Sequence, residues 1–475
     1  MIARFWATVV LSLFSLILAG QTKPQKMLAD ILNKEEYKQA SVGVLVVDPA
    51  SGEELLSHQP NQLLIPASTL KLITTATALR ILGPDYRFIT EIGYTGLLNE
   101  KGILHGNIVV KGGADPALGS EYFQTHYHEF LKKWAQALKS SGIKRVEGNL
   151  TLDGSVYDNE KVPATWIWED IGNYYGAGAN AFTVYDNIFR ITFQSPLTPG
   201  KPTKIINYYP KIEDIKMQNE VLSSEENADN AYVFGSPLDK VRVIRGTIPA
   251  GRKAFTIKAS MQQPEEILAA DFRNILAKEG VFISGETTYK KGKDEDYQVV
   301  FLQESPRLAD ITKVLNHESV NLFAEHFLKQ LSVEEDGVGN RENSIELVKE
   351  YWKSFGLNSD QIFMEDGSGL SHFNAVSPRF FTQLLTVMDG DEAFVQSLPR
   401  AGDGTLYQFS KEHFPGSTLE AKSGSMTRVR CYSGYLTTNS GRRLVFSIMF
   451  NHFSGSHSAL IKEIDKLLFE IKTYY

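Results

Sequence analysis

A single cysteine, Cys431, is all the thiol that the 475 residues contain. No internal disulfide can form, so burial and packing must hold the chain together. Cys431 falls in an alternating strand pattern and reads as a small buried hydrophobe, since no His/Asn context for a nucleophile accompanies it. Positive charge is also short. Against 56 Asp and Glu stand 49 Lys and Arg, a net charge of −7, which leaves no basic field for nucleic acid. Gly-x-Ser-x-Gly, Gly-x-Gly-x-x-Gly and Gly-Lys-Ser/Thr are missing, so an α/β-hydrolase elbow and a nucleotide loop have no support. The ten histidines offer one close pair, His126 and His128, at a spacing that faces apart on a helix. Asp366-Gly367-Ser368-Gly369 lacks the alternating acids of a calcium loop. Neither a metal nor another cofactor is expected.

Long apolar runs are confined to the N-terminus. Met1-Ile2-Ala3-Arg4 is a short basic lead, 5–18 is almost unbroken apolar sequence, and Ala19-Gly20 supply small residues for cleavage. The run is shorter than the roughly 20 residues of a membrane span, and predicts a signal peptide over 1–20. No cysteine follows it, which excludes a lipid-modified terminus, and no later stretch can cross a bilayer. The mature chain is therefore expected to be exported to the periplasm and soluble, without a transmembrane anchor.

What is present is enough apolar sequence (42%) for two or three domains. Helical character at 26–39 precedes a hairpin, 41–47 and 54–58, with Asp48-Pro49-Ala50-Ser51-Gly52 as its turn. Gly106-Asn107-Ile108-Val109-Val110-Lys111-Gly112 and Gly148-Asn149-Leu150-Thr151-Leu152-Asp153-Gly154 repeat one pattern on either side of a helix at about 120–140, which predicts a small α/β unit with two related strands. Short alternating segments at 188–260 predict a nested β-rich unit, with Gln218 to Asn230 as loop. A helix at about 264–279 and a charged boundary, Lys290 to Asp296, follow. Helices are expected at 307–315, 319–332, 343–355 and 378–388, strands at 418–423, 429–437 and 443–450, and an amphipathic C-terminal helix that packs on the sheet. Strands from both ends of the chain then form one antiparallel sheet. The expected domains are 21–88 with 297–475, an inserted α/β domain of 89–187 with 257–296, and a nested β-rich domain of 188–256.

Three short motifs carry the chemistry. Ser68 in Pro66-Ala67-Ser68-Thr69-Leu70-Lys71 stands where a helix begins, and Lys71 follows one turn later on the same face. An amine beside apolar neighbours has its pKa lowered and can take the serine proton. The plainer alternative is an N-cap serine and a solvated lysine. Ser319-Val320-Asn321 sits where one helix stops and another starts. Its hydroxyl can relay a proton to a leaving amine and its amide can orient Lys71 and a substrate carbonyl, or the serine is an ordinary N-cap. Lys422-Ser423-Gly424-Ser425 lies on a strand. Lys422 supplies positive field, Ser423 can bond a carboxylate, Gly424 admits close approach, and the N–H of Ser425 with that of Ser68 can form an oxyanion hole. Otherwise Lys422 is an edge-strand lysine that discourages aggregation.

In this order, Ser-x-x-Lys, Ser-x-Asn and Lys-Ser-Gly resemble the penicillin-recognising serine enzymes. Gly112-Gly113-Ala114-Asp115-Pro116, Tyr175-Gly176-Ala177 with Asp186-Asn187, Asp366-Gly367-Ser368-Gly369-Leu370-Ser371 and Ala401-Gly402-Asp403-Gly404-Thr405-Leu406 are similar to those of the low-molecular-mass class C penicillin-binding proteins, the D-alanyl-D-alanine carboxypeptidase/endopeptidase family. The spacer between Lys71 and Ser319 is far longer than in class A β-lactamases, as two inserted domains require. Two departures are the serine in Lys-Ser-Gly, where the family has threonine, and Gly113-Ala114-Asp115, where the family often has a further glycine. The resemblance implies an α+β, multi-domain chain: a β-lactamase/transpeptidase-like domain, an antiparallel sheet flanked by helices, with a large two-part insertion. It implies a serine carboxypeptidase or endopeptidase acting on peptidoglycan stem peptides and acylated by β-lactam antibiotics. Ser68, Lys71, Ser319, Asn321 and Lys422 would be catalytic and Ser423, Gly424 and Ser425 substrate-binding. A β-lactamase or esterase using the same motifs, or a non-catalytic peptidoglycan-binding protein, are the alternatives. Rapid penicillin turnover without D-Ala-D-Ala cleavage would mark the first, and muropeptide affinity without acylation the second.

Overall fold

The computed structural model describes residues 21–236, 238–290 and 296–475. The expected signal peptide lies outside them. The described chain forms two compact units.

The first unit draws on residues up to Leu70, on Phe355–Phe363 and on Asn374–Tyr475. Its centre is a five-stranded antiparallel sheet in the order Glu53–His58, Ser41–Asp48, Arg443–Asn451, Val429–Thr437, Leu419–Met426. Residues from opposite ends of the chain meet in register, Val44 against Ile448 and Gly43 against Met449. Alternation sends Val44, Val46, Phe446 and Ile448 to one face, where they join Leu28 and Ile31 of helix Lys23–Leu32 and Leu460, Ile464, Leu467 and Ile471 of helix His457–Tyr474 in one core. The C-terminal helix is thus a packed helix, as its mixed-sign polar face predicts. Helix Pro378–Met388 covers the other face, tied by the Tyr435 hydroxyl donating to the Leu385 carbonyl at 2.8 Å. Cys431 is buried in the central part of this sheet, and burial pushes its thiol up to about 12.

The second unit holds Lys71–Ser354 and Met364–Phe373. Helices Lys71–Ile81, Leu308–Glu318, Asn321–Asp336 and Arg341–Ser354 pack together, with Trp352 Nε1 donating to Thr77 Oγ1 at 2.8 Å. The two repeated segments become strands Ile108–Lys111 and Leu150–Asp153, which pair in parallel with matching positions opposite each other. Their sheet runs Thr287–Lys290, Leu150–Asp153, Ile108–Lys111, Ile89–Tyr94, Gln298–Glu304. Two three-stranded sheets built from residues 188–260 share a core that includes Phe189, Ile191, Val221 and Ile244.

Four expectations change. The helix expected at 26–39 is Lys23–Leu32, opened by a Thr22–Gln25 capping box and a proline in its first turn. The helix expected at 120–140 divides into a single turn, Glu121–Phe123, and helix Phe130–Ser140, because Glu129 adopts a left-handed conformation (φ 51°). Most of Gln218–Asn230 is strand: Lys216–Ser224 pairs in parallel with Val241–Pro249 along its whole length. Its polar side chains sit on a sheet with one open face, where backbone pairing outweighs low hydrophobicity. The return expected at 297 comes one strand later, since Gln298–Glu304 completes the sheet of Ile89–Tyr94.

Candidate active site

In the sheet unit, Ser68 stands inside a 3-10 turn, Ala67–Leu70, rather than at the N-terminus of an α-helix. The i−3 bond from Thr69 N to the Pro66 carbonyl (3.2 Å), doubled by Thr69 Oγ1 at 2.6 Å, tightens the chain there, after Ala67 in the left-handed region (φ 46°). Asn451, on the last residue of its strand, clamps the peptide before the turn: its Oδ1 accepts from Ile65 N at 2.7 Å and its Nδ2 donates to Ile65 O at 3.1 Å. The Leu419–Met426 strand is an edge strand that packs against this turn. At Gly424 a Cβ would run into the Pro66 carbonyl oxygen, so only glycine lets strand and turn approach this closely. Lys422 has no exposed surface and its Nζ donates to the Ser423 carbonyl at 3.0 Å, which removes the reading of Lys422 as a solvated edge lysine. Ser423 is buried and Ser425 exposed.

In the helical unit, the α-helix that follows the turn begins with Lys71 itself. Every residue from Lys71 to Leu79 is buried, including Thr74, Thr75 and Thr77, whose hydroxyls donate to backbone carbonyls. Lys71 is fully buried, which removes the solvated alternative for it too. Its Nζ donates to Asn321 Oδ1 and to the Ser368 carbonyl, each at 2.6 Å. Burial lowers its pKa from 10.5 to about 7, against the opposing charges of Asp366 and Glu325.

Asn321 opens helix Asn321–Asp336, and its Nδ2 donates to the Tyr175 carbonyl at 2.9 Å, which assigns the amide orientation and aims Oδ1 at the lysine. Ser319 is not an N-cap. It closes helix Leu308–Glu318 in the left-handed conformation (φ 58°, ψ 41°), with its N–H donating to Leu315 O. A non-glycine residue held there costs about 1–3 kcal/mol and persists only where its surroundings impose it.

The Ser368 carbonyl comes from the turn at 366–371. Asp366 organises it, Oδ1 accepting from Gly369 N at 2.8 Å and Oδ2 from Ser371 N at 2.6 Å and from Trp166 Nε1 at 2.8 Å. Gly367 is required because a Cβ would lie 2.6 Å from the Ala324 carbonyl oxygen. Glu325 Oε1 accepts from Gly367 N at 3.1 Å and Ser368 N at 2.8 Å, and Thr74 Oγ1 donates to Gly367 O at 2.6 Å.

The structure thus joins Lys71 to Asn321 in one unit and the turn of Ser68 to the Lys422–Ser425 strand in the other. Motif reasoning passed over Glu325, Trp166, Asn451 and the Ser368 carbonyl. Glu325 left a signal, an acid one helical turn after Asn321 and directly after the apolar Leu322, Phe323 and Ala324. A backbone carbonyl and a strand-end asparagine leave none.

Comparison with known proteins points to one family. The family model described as D-Ala-D-Ala carboxypeptidase 3 (S13) matches residues 24–470. A D-alanyl-D-alanine carboxypeptidase of Actinomadura sp. is 29% identical over 444 residues, 90% of this chain and 80% of that one. A protein of the same name from Haemophilus influenzae is 24% identical, covering 92% and 90%. The crystal structure of penicillin binding protein 4 from Haemophilus influenzae superposes with a TM-score of 0.81 at 22% identity, over 96% of this chain and 100% of that one. The same protein complexed with a β-lactam gives 0.77 at 22% identity, over 94% and 99%. The likeness is one of fold.

Proposed function

The chain belongs to the D-Ala-D-Ala carboxypeptidase 3 (S13) family, and from that premise we propose that Ser68 is the nucleophile and Lys71 the base of a serine-type D-Ala-D-Ala carboxypeptidase acting on peptidoglycan stem peptides. One observation carries the assignment of the base. A neutral amine has two N–H bonds and one lone pair, and Asn321 Oδ1 and Ser368 O accept two bonds from Lys71 Nζ at 2.6 Å each. These two neutral acceptors hold the amine in place, and a pKa lowered to about 7 leaves a share of it unprotonated, and so able to take a proton, at neutral pH.

The reaction runs as an acyl transfer. Ser68 Oγ attacks the carbonyl carbon of the D-Ala-D-Ala peptide bond while its proton passes to Lys71. The oxyanion is held by the N–H groups of Ser68 and Ser425. As the C–N bond breaks, Ser319 gives its hydroxyl proton to the departing amine and takes one back from the Lys71 ammonium, which restores the neutral base. Lys422 and Ser423 dock the terminal carboxylate. D-Ala departs, and water hydrolyses the ester to regenerate Ser68. A β-lactam acylates the same serine but keeps its leaving amine tethered, so the ester turns over slowly. The apolar run at 5–18 followed by Ala19-Gly20 supports export to the periplasm, where this substrate lies. Among the described residues no helix is long and apolar enough to cross a membrane.

Fluorescent penicillin labelling of the wild type and of Ser68→Ala tests the nucleophile. Labelling of the wild type alone is expected, and equal labelling of both would remove Ser68 from the mechanism. Digestion of purified peptidoglycan, with products identified by mass, separates removal of terminal D-Ala from cleavage of cross-links.

A further inference from the structure

Glu325 has no part in the reaction as described so far, yet it is buried at its centre. It lies four residues after Asn321 on helix Asn321–Asp336, hence one turn along the same face, and is 3% exposed. Its carboxyl oxygens accept from the N–H groups of Gly367 (3.1 and 3.2 Å) and Ser368 (2.8 Å). Both amides lie just before the Ser368 carbonyl that meets the Lys71 amine, so one side chain ties the Asn321 helix to the turn carrying the second acceptor of Lys71.

Charge gives the second argument. When Lys71 takes the serine proton it becomes an ammonium with no exposed surface, and water cannot offset it. The charged groups that act on Glu325 come from three elements: Lys71 from its helix, Asp366 from the turn, and Arg341 from the start of helix Arg341–Ser354. Arg341 is already engaged by Glu160, with Nε and Nη2 at 2.9 and 3.1 Å. Burial and the neighbouring Asp366 raise Glu325 above the usual carboxylate range, against the Ser368 and Gly367 bonds and Lys71, which favour its charged form. Its negative charge is therefore tied to the charge on Lys71.

We infer that Glu325 is a positioning residue for the proton transfer, holding the Ser368 carbonyl on the Lys71 amine and offsetting the ammonium formed there. The Ser68 O–H bond breaks and an N–H bond forms on Lys71, while Glu325 acts through its two hydrogen-bonded amides and its charge. The inference rests on Lys71 being the base.

The test is the pH dependence of penicillin acylation by the full chain. Glu325→Gln keeps the shape and one acceptor oxygen but removes the charge, so the Lys71 ammonium becomes less favourable. The acid limb should move to lower pH by about half a unit or more, and the plateau rate should fall roughly tenfold as the base weakens. A merely structural role would lower the plateau and leave the limb in place. That result, in a protein melting like the wild type, overturns the inference. Glu325→Asp provides the check should the glutamine variant not fold. It keeps the charge, so its limb should coincide with the wild-type limb, and a shifted limb overturns the inference. Failure of the underlying reading looks different: Lys71→Met would then acylate like the wild type.

Discussion

Lys71 belongs to the helical unit and Lys422 to the sheet unit, and neither exposes any of its surface. Lys71 donates to an amide oxygen and a carbonyl brought from positions 321 and 368, with Glu325 and Asp366 acting on it through their charge. Lys422 donates to the carbonyl of its own neighbour, Ser423, on an edge strand. Both amines are buried, and the roles proposed for them differ. In the proposed mechanism, what suits Lys71 to proton transfer is a pair of neutral acceptors that hold its amine, together with burial that makes its charge costly. In that mechanism Lys422 serves instead to dock the substrate carboxylate electrostatically.

Replacing each lysine should separate these roles. The largest effect is expected for Lys71→Met, a fall in the acylation rate of about 10²–10⁴-fold, as loss of a general base requires. The loss should be equal for D-Ala-D-Ala peptides and for esters, as stopped-flow acylation can show. For Lys422→Ala, loss of a charge-assisted bond to the substrate carboxylate is worth about 1.5–3 kcal/mol, or roughly 10–100-fold in kcat/KM. That loss should be confined to substrates ending in a free carboxylate, and an equal loss on a C-terminal amide would erase the distinction between the two lysines.

The pH profile sharpens the same contrast. With the Lys71 pKa lowered to about 7, wild-type acylation should rise with pH through that value, because only the unprotonated amine accepts the serine proton. In Lys422→Ala the acid limb should stay where it is, and a displaced limb would give Lys422 a share in the proton transfer. The smallest effect is expected for Ser423→Thr, which retains the hydroxyl and adds a methyl. Steady-state kcat/KM on a D-Ala-D-Ala peptide should change by less than about tenfold, since the hydroxyl is kept and one added methyl at the low end of its range is worth about 1 kcal/mol.

Much of the sheet unit was legible because its signals are local. Alternation in 41–47 and 443–450 marks strands, and Leu460, Ile464 and Leu468 recur at helical spacing. The Ile108–Lys111 and Leu150–Asp153 strands could be matched by their repeated pattern alone. The Lys216–Ser224 strand could not, because its pairing with Val241–Pro249 comes from a partner more than twenty residues away. Two backbone conformations are equally illegible in the sequence. Ser68 and Ser319 both look like N-caps in sequence, but one lies within a 3-10 turn and the other closes a helix in the left-handed region. Backbone conformation of that kind is imposed by surrounding contacts and not by residue preference.

From its sequence alone this chain declared its residue types, their order and the periodicities that make strands and helices, and with them the three motifs. Tertiary structure alone decided which oxygens meet the Lys71 amine, that Glu325 holds the turn supplying one of them, and that Asn451 clamps the chain ahead of Ser68. The physical reason is range. Periodicity and capping act over a few residues, whereas desolvation of an amine and the placing of its acceptors depend on groups some 250 and 297 positions away along the chain.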